Sequence, residues 1–280
     1  MKKHVILDTD IGGDPDDTLA LLLGLVSPEI QIDLIVTSDE YGGVRASFAK
    51  KIVKSLNFDI PVARGCDALG DKFCVVDDLS FLKECKTDYL QAIKEAVKRN
   101  SKTHYVCIGP QSNLAAFLES NQFSFPKLEV VIMGGAINYR IKGVAEHNVR
   151  FDCKAALKVF HSKVCKRYVL SDTTYNPALE IDASHRIYHG LKESKIIVMG
   201  DILQSFENYF KAYFNSTMMH DPLTFSDVIE PQFINLEERK ITMAESGIMN
   251  YSDKGLLQRV SVGADYPGFM EFLEHRQSFI

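Results

Sequence analysis

Short apolar runs alternate with amphipathic stretches along most of the chain. Residues 5–7 read as a strand and 17–26 as a helix; 32–36 read as a strand and 44–56 as a helix. A helix is expected over 88–98, a strand over 103–108, a helix over 113–118 and a strand over 128–133. A helix over 155–160 and a strand over 167–170 complete this series. Such alternation predicts an α/β domain whose mostly parallel, Rossmann-like central sheet is flanked by helices. Parallel strands covered on both faces give continuous apolar runs of this kind.

Beyond Leu170 the alternation weakens. Residues 196–214 form a long aromatic-rich helix, and 241–250 with 256–262 form a small late antiparallel pair. The tail over 266–280 closes the fold as a helix. No Gly/Ser/Pro linker, repeat or low-complexity tract interrupts the chain, so residues 1–280 are expected to form one domain.

In open α/β sheets ligands bind beyond the carboxyl ends of the strands. Four polar clusters fall there: residues 8–17, Ser38-Asp39-Glu40, residues 109–113 and Gly134-Gly135. The first is the densest, with aspartates at 8, 10, 14, 16 and 17 between a buried strand and an apolar helix. Crowded carboxylates repel one another unless they are solvated or share a cation. A cluster of oxygen donors suits calcium or magnesium.

Three readings of this run compete with plain helix capping. An EF-hand loop fails because Gly12 stands at the third ligand position, Leu19 at the terminal Glu, and a strand precedes it. A haloacid dehalogenase-type phosphatase also opens on strand-DxD, but its motif continues to Thr or Val where this chain has Gly12. The third reading rests on residues 8–21, Asp8-Thr-Asp10-Ile-Gly12-Gly-Asp14-Pro-Asp16-Asp17-Thr-Leu-Ala-Leu. This run resembles the DTDPGxDDAxAL signature of the inosine-uridine preferring nucleoside hydrolases, with two residues added before the Asp pair. Further motifs follow in order: residues 60–65 resemble IPVxxG, and 109–114 resemble GPLTNL. Residues 131–135 resemble the IMGG strand end, 145–148 with Asp152 resemble AEFN…D, and His220-Asp221-Pro222 resembles HDP.

The resemblance implies calcium-dependent hydrolysis of a ribonucleoside's N-glycosidic bond, as in purine or pyrimidine salvage. It implies metal ligation by Asp10, Asp17, Asp221 and the main-chain carbonyl of Ser112. Asp10 is also implied as the general base that activates a metal-held water, and His220 as a proton donor to the leaving base. Asp16, Met133, Glu146 and Asn148 are implied to contact the ribose. Asp14, an extra residue in the signature, either solvates the loop or backs the ligands. His147 reads as packing; Tyr209 and Tyr213 either stack on a base or pack in the core.

Two positions depart from the family pattern. Asp39, with Glu40 as the alternative, stands where the family has an Asn that reaches substrate. Arg140 stands near a second such Asn, with Asn138 beside it; Arg140 either receives an anionic group or lies on a surface loop. These departures keep a second class open, a protein that binds a ribosyl compound on the same fold without hydrolysing it.

Composition narrows the partners. The formal net charge of −5 argues against nucleic-acid polymers, which require a basic surface. The N-terminal apolar run, residues 5–7, is shorter than the roughly 7–15 residues of a leader's apolar region. The apolar stretch over 19–26 is too short to cross a bilayer. Six cysteines without CxxC or zinc spacing are expected as buried, reduced thiols of a cytoplasmic protein. By resemblance the assembly is a homodimer or homotetramer.

Overall fold

The computed structural model describes residues 2–40, 42–67, 73–76, 85–120 and 126–277. Its first strand, β1 (Lys3–Thr9), leads into α1 (Asp16–Val26). Then follow β2 (Ile30–Thr37), α2 (Val44–Ser55), β3 (Val62–Arg64), α3 (Tyr89–Arg99), β4 (Thr103–Cys107) and α4 (Ser112–Ser120). The middle of the chain runs β5 (Leu128–Met133), α5 (His147–Phe151), α6 (Cys153–His161), β6 (Cys165–Val169) and α7 (Ser171–Thr174). The last third holds β7 (Glu180–Asp182), α8 (Arg186–Glu193), α9 (Ile197–Ala212), β8 (Ser216–Met218) and α10 (His220–Ile229). It ends with β9 (Ile234–Met243), β10 (Met249–Tyr251), β11 (Leu256–Ala264) and α11 (Tyr266–Gln277).

Nine strands form one sheet in the order β10-β9-β11-β6-β5-β4-β1-β2-β3, and β7 pairs separately with β8. β1 through β6 are parallel, and β11 adds in parallel to β6. The chain moves outward from β1 through β2 and β3, then returns to place β4 on the other side of β1. That reversal opens a crevice at the carboxyl ends of β1 and β4, where open α/β sheets bind ligands. Burial explains the arrangement: β4 is buried at every residue and β1 from Val5 onward, as sheets covered on both faces require.

The expected α/β architecture is therefore observed, with three differences. The late antiparallel pair lies one segment earlier than its apolar residues suggest. β9 spans Ile234–Met243, the stretch from Ala244 to Ile248 is the turn, and β11 pairs with β9 from Leu256 opposite Ile241. β9 looks polar because most of its middle is exposed. The second difference is that only Cys107 of the six cysteines is buried; all six are free thiols. The third is the tail, which is helical through Gln277; residues 278–280 of the expected helix lie outside the described residues.

α10 matters most for function because it carries Asp221 from late in the chain to β1. It packs along α1, and the approach is close because Gly24 has no side chain. A Cβ there would stand 2.6 Å from Phe225 Cε1 and 2.9 Å from Ile32 Cδ1. α10 is buried over nine of its ten residues, from Asp221 onward, so it is held from all sides.

Candidate active site

Asp10, Asp16, Asp17 and Asp221 line one cavity of about 280 Å³ together with Asp14 and His220. Ile108 after β4, Met133 at the end of β5 and Ser171 after β6 line it too, so its walls are the carboxyl ends of neighbouring parallel strands. One carboxylate oxygen each from Asp16, Asp17 and Asp221 lies within 4.8 Å of the others, and all three side chains are buried. The Asp221 amide donates to Asp16 Oδ2 at 3.2 Å across 205 residues of sequence. Asp16 thus belongs to a buried acidic trio, whereas the family resemblance assigns it to ribose alone. Asp10 lines the same cavity and acts on the charge of each member of the trio.

The surroundings fix these acids in place. Thr9 Oγ1 donates to Asp17 Oδ1 and accepts from the Ile11 amide. Gly109 packs against Asp10, since a Cβ at 109 would fall 2.7 Å from its Oδ1. Asp8 sits behind the cluster, fully buried, accepting from Tyr105 Oη at 2.7 Å and Asn113 Nδ2 at 2.9 Å. Asn113 also donates to the Thr37 carbonyl and accepts from the Cys66 amide, tying three strand ends together. Asp14 accepts from Tyr209 Oη at 2.6 Å and from Thr217 Oγ1. The extra aspartate is therefore a cavity-wall acid that joins the first loop to α9 and β8.

Burial raises the pKa of every carboxyl in this group, because charge is costly away from water. Asp8 is pushed up to about 7 and Asp14 to about 6. Asp16, Asp17 and Asp221 are held well above the usual range by burial and then by neighbouring aspartates, foremost Asp14 for Asp16, Asp10 for Asp17 and Asp16 for Asp221. Burial also raises Asp10, with the Arg45 guanidinium pulling it back. Buried carboxylates with this much mutual repulsion are the donor set of a hard divalent cation, so the residues fit such a group.

Arg45 is the main residue that sequence reading overlooks. It is fully buried on α2. Its Nη1 donates to the carbonyls of Asp10 and Ile11, and its Nη2 donates to Phe73 O at 2.6 Å. Its ion pair with Asp39 spans 3.0 Å. A signal does exist: Arg45, Phe48, Ala49 and Ile52 share one buried helical stripe.

Asp39 is thereby corrected. The family pattern puts it against substrate, but its carboxylate is spent on Arg45 and it does not line the cavity. The alternative, Glu40, accepts from the amides of Arg45 and Ala46 and caps α2. Ser112, expected to offer its main-chain carbonyl to a metal, is absent from the cavity lining. It opens α4, and its hydroxyl donates to Asp152 Oδ2 at 2.7 Å. Ile108 does line the cavity, and its main-chain carbonyl accepts from Asn148 Nδ2 at 2.9 Å.

The remaining expected residues converge on the cavity. Glu146 caps α5, accepting from the amides of Gly135, Asn148 and Val149. Asn148 Nδ2 also reaches Met133 O at 3.3 Å, leaving its carbonyl oxygen for a ligand. His220 Nδ1 lies 2.7 Å from Thr174 Oγ1 and its ring stacks on Tyr175. Burial, with help from Arg140 and His147, pushes its pKa down to about 3. An aromatic wall closes the cavity: Phe73 meets His147 edge-on at 5.4 Å and Tyr209 at 6.1 Å. Tyr213 contacts Phe73 but is exposed and off the cavity wall. Arg140 lines the cavity rather than lying apart on the surface.

Comparison with known proteins adds an independent line. A sequence profile of the inosine-uridine preferring nucleoside hydrolases matches residues 5–270. The pyrimidine-specific ribonucleoside hydrolase RihA of Shigella boydii is 25% identical over 313 residues, covering 100% of this chain and 99% of the relative. Among solved structures, an inosine-guanosine nucleoside hydrolase superimposes with a TM-score of 0.82 at 18% identity, over 99% of this chain and 98% of that one. The purine-preferring ribonucleoside hydrolase from Gardnerella vaginalis gives 0.81 at 21% identity, over 99% and 98%. At these identities the structural likeness establishes the fold.

Proposed function

Because the chain belongs to the inosine-uridine preferring nucleoside hydrolase family, we propose that it is a calcium-dependent enzyme that hydrolyses the N-glycosidic bond of a ribonucleoside to free base and ribose. The observation that carries this reading is the meeting of Asp16 and Asp17 with Asp221 in one buried cavity at the sheet's switch point. We treat residues 1–280 as one nucleoside hydrolase-like domain, since β11 and α11 complete the sheet and layer that β1 begins. The family match removes the ground for the phosphatase alternative.

Asp10, Asp17 and Asp221 would hold the cation, with Asp16 at its edge and the Ile108 carbonyl as the neutral donor in place of Ser112. This much oxygen suits calcium, which takes 6–8 ligands, better than magnesium, which keeps several waters. When bound, the cation supplies positive charge that fixes the ribose diol and makes a nearby water more acidic.

The chain's own residues do the rest. Asp10 takes the proton of the attacking water, the general-base step. The anionic walls stabilise the positive charge that develops on the ribosyl ring as the bond to the base breaks. Asp16, Glu146 and Asn148 hold the ribose hydroxyls, and Met133 packs against the sugar. His220 is neutral at physiological pH, so it serves the leaving base as a hydrogen-bond donor rather than as an imidazolium acid. When Thr174 donates to Nδ1, Nε2 carries the hydrogen. Phe73 and Tyr209 provide faces for the base.

The test is base release from a panel of purine and pyrimidine ribonucleosides, since the relatives' names cover both classes. Asp10→Ala should lower kcat by ~10²- to 10⁴-fold. A variant as fast as the parent would defeat the mechanism. Ribosyl-compound binding with no base release from any substrate would favour the non-hydrolytic class instead.

A further inference from the structure

We propose that the cavity accepts a riboside with an anion on its 5′ side, a nucleoside 5′-monophosphate, and that Arg140 and Arg150 bind its phosphate. The inference rests on the hydrolase reading of the same site and names its substrate class.

The cavity is electrically divided. Its floor is carboxylate, while two guanidiniums, Arg140 and Arg150, line its exposed rim. A neutral nucleoside has no charge to pair with two cations at that rim, whereas a phosphate monoester does. Neither arginine forms an ion pair among the described residues, although many surface arginines and lysines of this chain do. Arg140 is also held in place: its Cζ lies 5.0 Å from the Tyr139 ring centroid and 4.9 Å from that of Tyr175. Stacking of this kind fixes the plane of the guanidinium and leaves its N–H fork free to take two oxygens of one phosphate.

The position suits the 5′ end of the sugar. The chain segment after Met133 runs from the cavity floor out to Arg140 and returns at Glu146 and Asn148. Arg140 is near enough to Glu146 to act on its charge. In the pose we propose, the ribose diol meets the acidic floor, its edge meets Glu146 and Asn148, and its exocyclic 5′ carbon faces the rim. Arg140 and Arg150, the latter two residues beyond Asn148 on α5, both line the cavity there.

The reaction balances without a co-reactant. The C1′–N bond breaks and its electron pair stays on the base, which takes a proton from solvent that Asp10 later returns. Water oxygen bonds to C1′ and its proton passes to Asp10. The phosphate ester is untouched, so the products are free base and ribose 5-phosphate.

The experiment measures kcat/KM for uridine, inosine and their 5′-monophosphates with calcium present, using the parent protein, Arg140→Gln and Arg150→Gln. Base and ribose 5-phosphate are quantified together. The parent should favour the monophosphates by ~10-fold or more, and each variant should lose ~10- to 100-fold on them, mainly through KM. Nucleoside turnover should change less than about threefold. Raising ionic strength should weaken only the monophosphate reactions. Hydrolysis of nucleosides with no advantage for monophosphates overturns this inference and leaves the hydrolase reading standing. Equal losses on both substrate classes in Arg140→Gln also overturn it, because the guanidinium then serves the base or the sugar. Release of base from neither class overturns both.

Discussion

The substitution Asp8→Asn separates the electrostatic cost of the acidic run from its hydrogen bonding. Asp8 is fully buried, and burial pushes its pKa from 3.8 to about 7. The sign follows from proton uptake. The folded state binds a proton more tightly than the unfolded state, so stability is full below about pH 4 and falls as pH rises toward 7. Each pH unit is worth about 1.4 kcal/mol, so the loss amounts to about 4 kcal/mol by pH 8. The substituted amide carries no charge and removes that loss. It also cannot accept from both Tyr105 Oη and Asn113 Nδ2 as the ionised Asp8 does, which offsets about 1–3 kcal/mol of that gain where Asp8 is ionised. In chelator, the variant should therefore match the parent near pH 4 and be the more stable protein by about 1–3 kcal/mol at pH 8. Urea denaturation at half-unit pH intervals measures the difference directly. Parallel stability curves from pH 4 to 8 would refute the placement of a desolvated carboxyl at Asp8.

Two further outcomes follow from the same geometry. Gly24→Ala in a helix ordinarily stabilises by about 0.5–1 kcal/mol, but here the new methyl meets Phe225 and Ile32. It should cost about 1–3 kcal/mol in urea denaturation and weaken calcium affinity by calorimetry, because α10 carries Asp221; an unchanged or stabilised protein would contradict the close packing. Calcium should raise Tm more at pH 8 than at pH 5, since Asp16, Asp17 and Asp221, with pKa values raised by burial and mutual charge, hold protons at the lower pH. An equal rise at both pH values in thermal melts would argue that the cation binds elsewhere.

How far the sequence reaches depends on the kind of signal. β1, β2, β4 and β5 are legible because strands buried on both faces leave apolar runs. β3, β7 and β8 are three residues each and too short to carry a period. α10 escapes for the opposite reason: buried on all sides, it has no amphipathic stripe, and Pro222 sits in its first turn. α8 does carry a stripe, with Ile187, Tyr188 and Leu191 buried, so its absence from the sequence reading has no physical excuse.

The site divides along similar lines. Asp10, Asp16 and Asp17 stand in one stretch of chain, so their convergence needs only a strand and a helix. Asp221 enters through motif resemblance, since nothing local to it announces a partner 205 residues away. Asp39 misleads because an acid beside a strand end looks like a ligand contact until its buried cation is found; Arg45 on the apolar stripe of α2 is the available clue. A main-chain ligand leaves no mark on residue identity, so the sequence cannot choose between Ser112 and Ile108, and of the two Ile108 lines the cavity. Asp14 gains its meaning from Tyr209 and Thr217, which only the folded chain brings to it.

The central claim is that the buried acids gathered from both ends of the chain hydrolyse a ribonucleoside with a divalent cation. The most direct measurement follows inosine and uridine in phosphate-free buffer, with chelator and then with calcium restored, quantifying base and reducing sugar together. The account predicts equal amounts of free base and ribose with calcium and none in chelator. Undiminished base release in chelator, or none under any condition from nucleosides or their 5′-monophosphates, would contradict it.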